Sequence, residues 1–321
     1  TASFAINIGG QTCTLTRTVV PVGAITGLTC SSATNSGSLN AGSSAAEVTS
    51  VIPYTGGNGG SYTGQTVTST GVTGLTATLT AGIFASGSSS LTYTITGNPD
   101  YEGTASFSLT IGGKSCTLTR TVSCMSGATT VVDVTNPTTG KTWMDRNLGA
   151  TRAATASNDQ ASYGDMYQWG RLKDGHQCRT SPTTATLSTF DIPGNASFIT
   201  GSSGDWRSTS NNSLWQGVSG PNNPCPSGYR LPSETEWDAE RASWSSQNSA
   251  GALASILKLS LPGARNNIDG NFINAGSWGD YWSSTVNGNG SRVIRISAPW
   301  NAILFDNFGR SLGCPVRCLK N

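Results

Sequence analysis

The sequence predicts a mainly β chain in two halves, a β-sandwich followed by a domain of the α+β class. Three observations support this prediction. Charged residues make up only 11% of the 321 residues and glycine contributes 40, a composition typical of chains rich in strands and loops. All nine tryptophans lie beyond residue 140, so the two halves differ in chemistry. A stretch of 19 residues occurs twice, and both copies lie in the first half.

The repeated stretch is the clearest structural signal. Residues 1–19 return at 104–122 with 14 of 19 positions identical, and the offset of 103 residues is the size of one β-sandwich module. In the second copy Phe107, Leu109 and Ile111 alternate with polar residues, and a Gly-Gly pair follows. This pattern predicts a hairpin with one buried face.

Short strand-like segments separated by glycine-rich turns fill the space between the copies. They lie at 49–54, 66–69, 75–79 and 91–96. Their spacing predicts an immunoglobulin-like sandwich over about 20–123. Residues 1–19 are then the terminal hairpin of a preceding repeat, and we expect the native protein to be a string of such modules. We expect residues 124–133 to be a linker.

The eight cysteines favour an oxidising compartment. Their number is even, their spacing is scattered and no Cys-x-x-Cys pair is present, which is typical of structural disulfides rather than metal or redox sites. We therefore expect an extracellular protein, on a cell surface or a virion. Within the sandwich, one pairing joins Cys30 to Cys116, worth about 4 to 5 kcal/mol for so long a loop, and leaves Cys13 for a lost partner. The alternative pairs Cys13 with Cys30 and Cys116 with Cys124.

The charge balance argues against polyanionic partners. The formal net charge is +2, from 19 basic and 17 acidic residues without a long run of either sign. We expect no nucleic-acid partner. No segment approaches the roughly 20 apolar residues of a membrane helix, so we expect no membrane insertion.

The second half contains two helix signals. Ser233 and Glu236 form a capping-box pattern that predicts a helix running to about Trp244. Residues 250–259 predict a second helix, ended by Pro262 and a glycine. No phosphate-binding loop or nucleophile elbow is present, and we interpret His176 as an ordinary loop histidine. We therefore expect no catalysis.

The first half resembles the tandem immunoglobulin-like modules of long surface adhesins from Bacteroidetes. The resemblance rests on VIPYTGGNGGSYTGQTVTSTGVTGLTATLTAG at 51–82 and on the LTYTITGNP that follows. It implies a spacer role. The small number of charged and aromatic residues in this half agrees, because it leaves little from which to build a site.

The second half resembles the Fibrobacter succinogenes major paralogous domain over about 134–321. The motifs WMDRNLGAT, YQWGR, NPCPSGYRLP, YWSS and VRC occur in the family's order. The resemblance implies a C-type-lectin-like fold, related to formylglycine-generating enzymes, with a disulfide between Cys225 and Cys318. That pairing leaves Cys178 and Cys314 as a second pair. The resemblance also implies a minor alternative function, an oxidase of the formylglycine-generating type. Those relatives use a cysteine pair with copper, and Cys314 and Cys318 would correspond to that pair.

The sequence lacks the triplets by which calcium-dependent lectins bind sugars. Four oxygen-bearing side chains, Asp269, Asn271, Asn274 and Asp280, offer the ligands that calcium prefers. Such residues in glycine-rich turns are more often backbone caps. We therefore predict no cofactor, with calcium as the alternative.

The segment from Tyr281 to Cys318 resembles the variable region of proteins diversified by retroelements. The resemblance implies an exposed binding surface between the constant YWSS and PVRC motifs. The segment also combines the aromatic and arginine residues that dominate binding hot spots. The candidate ligand-binding residues are Asn287, Asn289, Arg292, Arg295, Trp300, Asn301, Phe305, Asp306, Asn307, Phe308 and Arg310.

The alternative for the apolar positions is a core role. Ile294, Ile296, Ile303 and Phe305 have the alternation expected of two terminal strands with one buried face. Trp300, Asn301, Asp306, Asn307 and Arg310 suit an exposed edge better.

The leading functional hypothesis is a non-enzymatic adhesin whose terminal domain binds a protein or glycan receptor. Its other expected partners are further repeats of its own chain. The alternative is a structural fibre or phage tail subunit.

Overall fold

The computed structural model describes residues 1–124, 127–201, 204–298 and 302–321, with the side chains of 302–304 left out. Strands account for 40% of the chain and helices for 8%, so the fold is mainly β. Two compact units are present. The first comprises Thr1–Leu39, Ser44–Asn98 and Thr104–Thr121, and the second comprises Asn40–Ser43, Pro99–Gly103 and Val122–Asn321. The long segment of the second unit thus begins at Val122, and the unit also includes two short segments from within the expected 20–123 module.

The N-terminal part of the chain is built from fourteen strands and one 3₁₀ turn over Cys30–Ser32. The strands are β1 (Ala2–Ile8), β2 (Gln11–Arg17), β3 (Gly27–Leu28), β4 (Thr34–Ser36), β5 (Leu39–Asn40), β6 (Val48–Gly57), β7 (Ser61–Tyr62), β8 (Gln65–Thr68), β9 (Thr70–Gly71), β10 (Leu75–Leu79), β11 (Gly82–Ile83), β12 (Gly87–Gly97), β13 (Gly103–Ile111) and β14 (Lys114–Ser123). The four strand segments expected between the repeat copies correspond to β6, β8, β10 and β12.

Two sheets of this part face each other. A six-stranded sheet has the order β3-β6-β12-β10-β8 with β4 also paired to β6, and a four-stranded sheet has the order β5-β14-β13-β9. Alternate side chains are buried in both, as along β12 and β13. Arg120 of β14 crosses from one sheet to the other and donates hydrogen bonds to the carbonyl oxygen of Thr49 and the Oγ of Ser50 in β6, at 2.9 and 3.0 Å. The Cys30–Cys116 disulfide closes 86 residues of the first unit, in agreement with the first of the two expected pairings.

The N-terminal hairpin differs from its copy. Strands β1 and β2 pair with each other from Ala2 opposite Arg17 to Ile8 opposite Gln11, and in the described part of the chain they pair with no other strand. All but two of their residues are exposed. The apolar face of this hairpin is therefore uncovered, and Cys13 is a free, exposed thiol.

The second unit consists of short strands, two helices and long loops. Its strands are β15 (Asp133–Thr135), β16 (Thr142–Met144), β17 (Tyr167–Gln168), β18 (Thr183–Thr184), β19 (Phe198–Ile199), β20 (Tyr229–Arg230), β21 (Ala264–Arg265), β22 (Phe272–Ile273), β23 (Trp278–Asn287), β24 (Gly290–Ser297), β25 (Ala302–Gly309), β26 (Gly313–Cys314) and β27 (Leu319–Lys320). Its 3₁₀ turns lie at Gln160–Ser162 and Gly217–Ser219. Four sheets result, with orders β15-β16-β27-β20, β17-β26-β21-β22, β18-β19 and β23-β24-β25.

The helices α1 (Glu234–Ala242) and α2 (Ser249–Ala254) agree with the predicted positions, and the second is shorter than predicted. Helix α1 begins with the expected capping box, in which the Ser233 hydroxyl accepts from the Glu236 N–H and the Glu236 carboxylate accepts from the Ser233 N–H. Helix α2 ends at Ala254 because Ser255 is extended and Lys258 has a φ of +48°. The predicted end at residue 259 is therefore wrong.

Tryptophans organise two buried cores in the second unit. One core contains Trp169, Trp206, Trp215 and Trp282, and the other contains Trp143, Trp237 and Trp244. The indole N–H groups of five of them donate to backbone carbonyls of other segments, as Trp169 does to Ser283 at 2.9 Å. The rings therefore fix irregular segments as well as filling space.

Two disulfides close loops of the second unit. Cys225 bonds to Cys318 across 93 residues, which agrees with the pairing that the family resemblance implies. Cys178 bonds to Cys124, so the expected Cys178–Cys314 pair is wrong. Cys314 is a free thiol, fully buried in the Trp169 core. Cys124 is bonded to Cys178, and the Thr129 hydroxyl accepts a hydrogen bond from the Gly149 N–H at 2.7 Å. These residues of the expected 124–133 linker are therefore part of the second unit.

None of the helices in the described residues has the length and hydropathy needed to cross a membrane.

Candidate functional site

The candidate ligand-binding residues lie on the three-stranded antiparallel sheet β23-β24-β25 and the turns beside it. Asp280 of β23 lies opposite Arg295 of β24, and Val293 of β24 lies opposite Asp306 of β25. In the described part of the chain β25 pairs only with β24, so it is an edge strand. An edge strand presents unpaired backbone groups as well as side chains to solvent.

The candidate residues do not share one face of the sheet. Successive side chains of a strand point to opposite faces, and the register therefore places Arg295, Asp306 and Phe308 on one face and Arg292, Phe305 and Asn307 on the other. Each face also covers a different core, because Phe308 packs against the Trp169 core and Phe305 against the Trp143 core. The expected single recognition surface is thus divided in two.

The first face holds a fixed cluster of charged and aromatic side chains, which we call the Arg295 cluster: Trp278, Asp280, Arg295, Asp306 and Phe308. The Arg295 guanidinium lies 4.4 Å from the Trp278 ring centroid and 4.5 Å from that of Phe308. Its Nε donates to Asp280 at 2.6 Å and its Nη1 to Asp306 at 3.0 Å. Two rings and two carboxylates therefore restrict Arg295 to one position.

The two carboxylates of this cluster differ in environment. Asp280 is 1% exposed, and burial raises its pKa while the hydrogen bonds from Arg295 act in the opposite direction. The Asp306 side chain is 45% exposed. Of the two carboxylates, Asp306 is therefore the more available to a partner molecule.

On the opposite face Arg292 is bound to helix α1. Its Nε and Nη2 atoms donate to the two carboxylate oxygens of Glu234 at 3.0 and 2.7 Å, and these bonds raise the pKa of Arg292. Asn307 lies opposite Arg292 in the register and is exposed. Asn287, the last residue of β23, and Asn289, in the turn between β23 and β24, are both exposed.

Arg310 is buried, and the prediction that it lies on an exposed edge is wrong. It is 1% exposed, its guanidinium lies 4.5 Å from the Trp169 ring centroid, and its Nη1 is 3.5 Å from the carboxylate of Asp205. It also donates to Ser291 and to a carbonyl of the Asn211 loop. Arg310 therefore holds loops of the Trp169 core together and is not available to a ligand. Trp300 and Asn301 lie outside the described residues.

The apolar candidates on β24 are core residues, which agrees with the alternative prediction of a core role. Ile294 and Ile296 have no exposed surface and belong to the Trp143 core. Phe305 is half-buried against the same core, with Arg241 of α1 5.7 Å from its ring centroid. The side chain of Ile303 is outside the described set.

Three of the four side chains considered for calcium are bound within the protein. The Asp269 carboxylate accepts from the backbone and side-chain nitrogens of Asn271 at 3.0 and 2.8 Å, which is a turn cap. Asp280 is paired with Arg295. An oxygen of Glu102 and the sulfurs of Cys124 and Cys178 lie within 4.8 Å of one another, but the two sulfurs form a disulfide and offer no thiolate to a metal.

His176, the single histidine, lies in a loop and is fully buried. Its Nε2 accepts from the Gln168 N–H at 3.0 Å, and its Nδ1 lies 2.5 Å from Asp174. Burial is the largest influence on the ring and lowers its pKa to about 4. A neutral ring with both nitrogens bonded supports the loop and is not free to transfer protons.

Two members of the Arg295 cluster, Trp278 and Asp280, are not among the ligand-binding residues predicted from the sequence, in which Asp280 is only a candidate calcium ligand. The alternation of Trp278, Asp280 and Trp282 on β23, in a segment bounded by glycine, is the signal that places all three on one face. The pairing with Arg295 depends on the register with β24, which a single sequence does not contain.

Compared with known proteins, the chain matches no family model, no curated protein and no solved structure.

Proposed function

We propose that the chain is an adhesin or receptor-binding protein, displayed on a cell surface or a virion, in which repeat modules form a stalk and the second unit binds a partner without catalysis. In this proposal the first unit is an immunoglobulin-like module and the second has a C-type-lectin-like fold. The facing sheets joined by Cys30–Cys116 support the first assignment. The Cys225–Cys318 link supports the second.

The Arg295 cluster is the observation on which the binding proposal rests. Binding hot spots are enriched in arginine and tryptophan, and a partner loses affinity when such side chains must be ordered on binding. Arg295 is already ordered by Trp278, Phe308 and two carboxylates. The half-exposed Asp306 and the free edge of β25 adjoin it. A protein or glycan receptor would therefore meet a rigid polar and aromatic surface.

The disulfides support the location. Three are present among the described residues, which is consistent with an extracellular or secreted protein, because thiols in reducing compartments are kept reduced.

An attachment assay tests the binding surface. Asp306→Ala removes the exposed carboxylate and one of the two anchors of Arg295, so we expect bound protein on a panel of bacterial cells and a glycan array to fall at least about tenfold. Asp238→Ala is the matched control, because Asp238 is 54% exposed and is also paired with an arginine, Arg241. Equal attachment of the two variants would contradict the assignment of the Arg295 cluster, and no attachment of the unmodified protein to any surface would contradict an adhesin.

Sequencing the 3′ end of the gene across a clonal population tests diversification by a retroelement. We expect substitutions from adenine-templated codons at the exposed positions Asn287, Asn289 and Asn307. We expect none at the buried Ile294 and Arg310, where a changed side chain would leave a cavity or unpaired polar groups. A uniform sequence would remove the diversification hypothesis and leave a fixed-ligand adhesin.

The exposed N-terminal hairpin favours a second candidate, a structural subunit of a fibre or phage tail. Phe4, Ile8 and Leu15 are 53%, 75% and 42% exposed, and a hairpin with such a face can complete a neighbouring sheet. In the adhesin proposal the neighbouring sheet belongs to a further repeat of the same chain. In the fibre proposal it belongs to another subunit.

Light scattering separates these two proposals. Purified protein that forms long polymers, and loses them in the variant Phe4→Ser with Leu15→Ser, would favour the fibre subunit. The control Ile83→Ser removes an apolar side chain that is 64% exposed outside the hairpin, and it should leave polymers intact. Protein that stays monomeric at high concentration favours the adhesin.

The cysteine geometry counts against an oxidase of the formylglycine-generating type. Cys318 is bonded to Cys225, and Cys314 is buried, with a pKa that burial raises well above its usual range. A reactive pair would need two accessible thiolates.

A further inference from the structure

A cavity of about 440 Å³ lies within the second unit, and no member of the Arg295 cluster lines it. This volume is in the range of small-molecule sites. Three aromatic side chains line it, from Tyr101, Tyr163 and Phe272, together with the charged Glu102 and Arg179. All five residues belong to the second unit.

Glu102 has an unsatisfied oxygen at this cavity. The side chain is only 8% exposed, and burial raises the pKa of its carboxyl group, while the backbone N–H group and positive charge of Arg179 act in the opposite direction. Its Oε2 atom is buried and has no hydrogen-bond partner among the described residues. A buried carboxylate oxygen without a donor is costly, so this atom requires a donor that the protein does not provide.

Arg179, which also lines the cavity, has a buried hydrogen-bond donor without an acceptor within the described ranges. Its guanidinium lies 4.2 Å from the Phe272 ring centroid and 5.6 Å from that of Tyr163, which fixes its plane. Its Nη1 atom is buried and unpartnered in the part of the chain that the structure describes. No ion pair between Arg179 and Glu102 is present there. The neighbouring Arg265 differs, because it donates to the carbonyls of Gly270 and Ser181 at 2.9 and 2.7 Å.

We propose that this cavity binds a free α-amino acid, with its ammonium group on Glu102 and its carboxylate on Arg179. Such a ligand carries a cationic donor and an anionic acceptor on one carbon atom, and both orphan atoms would gain a charge-assisted hydrogen bond. The aromatic walls would contact the ligand side chain. This site goes beyond the proposed function and does not depend on it, because no member of the Arg295 cluster lines the cavity.

Saturation-transfer NMR on the full, oxidised chain tests the proposal. The first probe is an equimolar mixture of the twenty free amino acids, and we expect transfer to one or a few of them. The strongest is then titrated beside its α-amide, which lacks the carboxylate, and its N-acetyl derivative, which lacks the ammonium. We expect each derivative to bind at least about tenfold more weakly, because each leaves one buried charge unpaired.

Two variants link the ligand groups to the protein groups. Glu102→Gln should weaken binding of the free amino acid at least about tenfold and leave the N-acetyl derivative unchanged, because that derivative has no ammonium to lose. Glu47→Gln is the control, since Glu47 is exposed in the first unit. Near-ultraviolet circular dichroism shows whether Glu102→Gln folds. If it does not, the affinities of the unmodified protein for the α-amide and the N-acetyl derivative still test whether both charged groups of the amino acid are bound.

Three results would overturn the proposal. These are no transfer to any of the twenty amino acids, equal affinity for the free amino acid and both derivatives, and transfer only to a mixture of free monosaccharides, which would indicate a polyol site. Attachment through the Arg295 cluster is measured on other variants, so failure of either proposal leaves the other intact.

Discussion

The two copies of the repeated hairpin have nearly the same sequence and opposite environments. Phe107, Leu109 and Leu118 are at most 1% exposed in the second copy, while the corresponding Phe4 and Leu15 of the first copy are 53% and 42% exposed. Both copies form antiparallel hairpins around a Gly-Gly turn. Local sequence therefore determines the strand pairing and the turn, but burial of the apolar face depends on the second sheet, which only one copy has.

The largest expected effect comes from the paired phenylalanines. Phe107→Ala should lower the free energy of unfolding of the first unit by about 3–5 kcal/mol, because it empties a fully buried position. Phe4→Ala should change it by less than about 0.5 kcal/mol. Hydrogen exchange of peptides from 104–111 measures the difference, since the first unit contains no tryptophan to report unfolding. Similar losses in both variants would mean that the first hairpin is also covered, and the comparison would fail.

The paired cysteines give the next effect. Cys116→Ser breaks the Cys30–Cys116 bond and should destabilise the first unit by about 2–5 kcal/mol. Cys13→Ser should have no effect on stability, because Cys13 is a free, exposed thiol. Iodoacetamide followed by peptide mass mapping adds an independent check, in which native protein is modified at Cys13 and not at the buried Cys314. A Cys13 that resists modification would indicate a bonded partner.

The paired arginines give the smallest effect. Arg120 is 6% exposed and also donates to the carbonyls of Ser36 and Gly37 at 3.2 and 2.8 Å. Arg120→Gln should therefore cost about 1.5–3 kcal/mol through buried carbonyls that lose a charged donor. The corresponding Arg17 is exposed on β2, so Arg17→Gln should be neutral within about 0.5 kcal/mol in the same exchange experiment. A loss at Arg17 comparable to that at Arg120 would again contradict an uncovered hairpin.

The features that the sequence predicts correctly are local or repeated. The Ser233 capping box requires only four residues, and the strands of the first unit follow from alternation between glycine-rich turns. The second helix was predicted too long because Lys258 adopts a left-handed backbone conformation that its sequence does not favour.

The candidate site was only partly predictable, because its geometry depends on tertiary pairing. Residue type suggested that Arg292, Arg295 and Arg310 bind a ligand. Their environments separate them, since Arg310 lies on Trp169, Arg292 is held by helix α1, and Arg295 lies between two rings. The Cys124–Cys178 bond likewise depends on two loops meeting in space, which spacing along the chain does not reveal.

The three disulfides limit how far the chain can lengthen under tension. A pull transmitted along the backbone passes through the Cys30–Cys116 bond and bypasses the residues between them, which span 86 positions. At about 3.4 Å per residue, roughly 290 Å of extended chain is thereby withheld from the load. The Cys225–Cys318 bond withholds a further 93 positions in the second unit. The Cys124–Cys178 bond withholds another 54 positions. Mechanical force on an attached molecule would thus act mainly on the segments outside these three loops, the N-terminal hairpin among them.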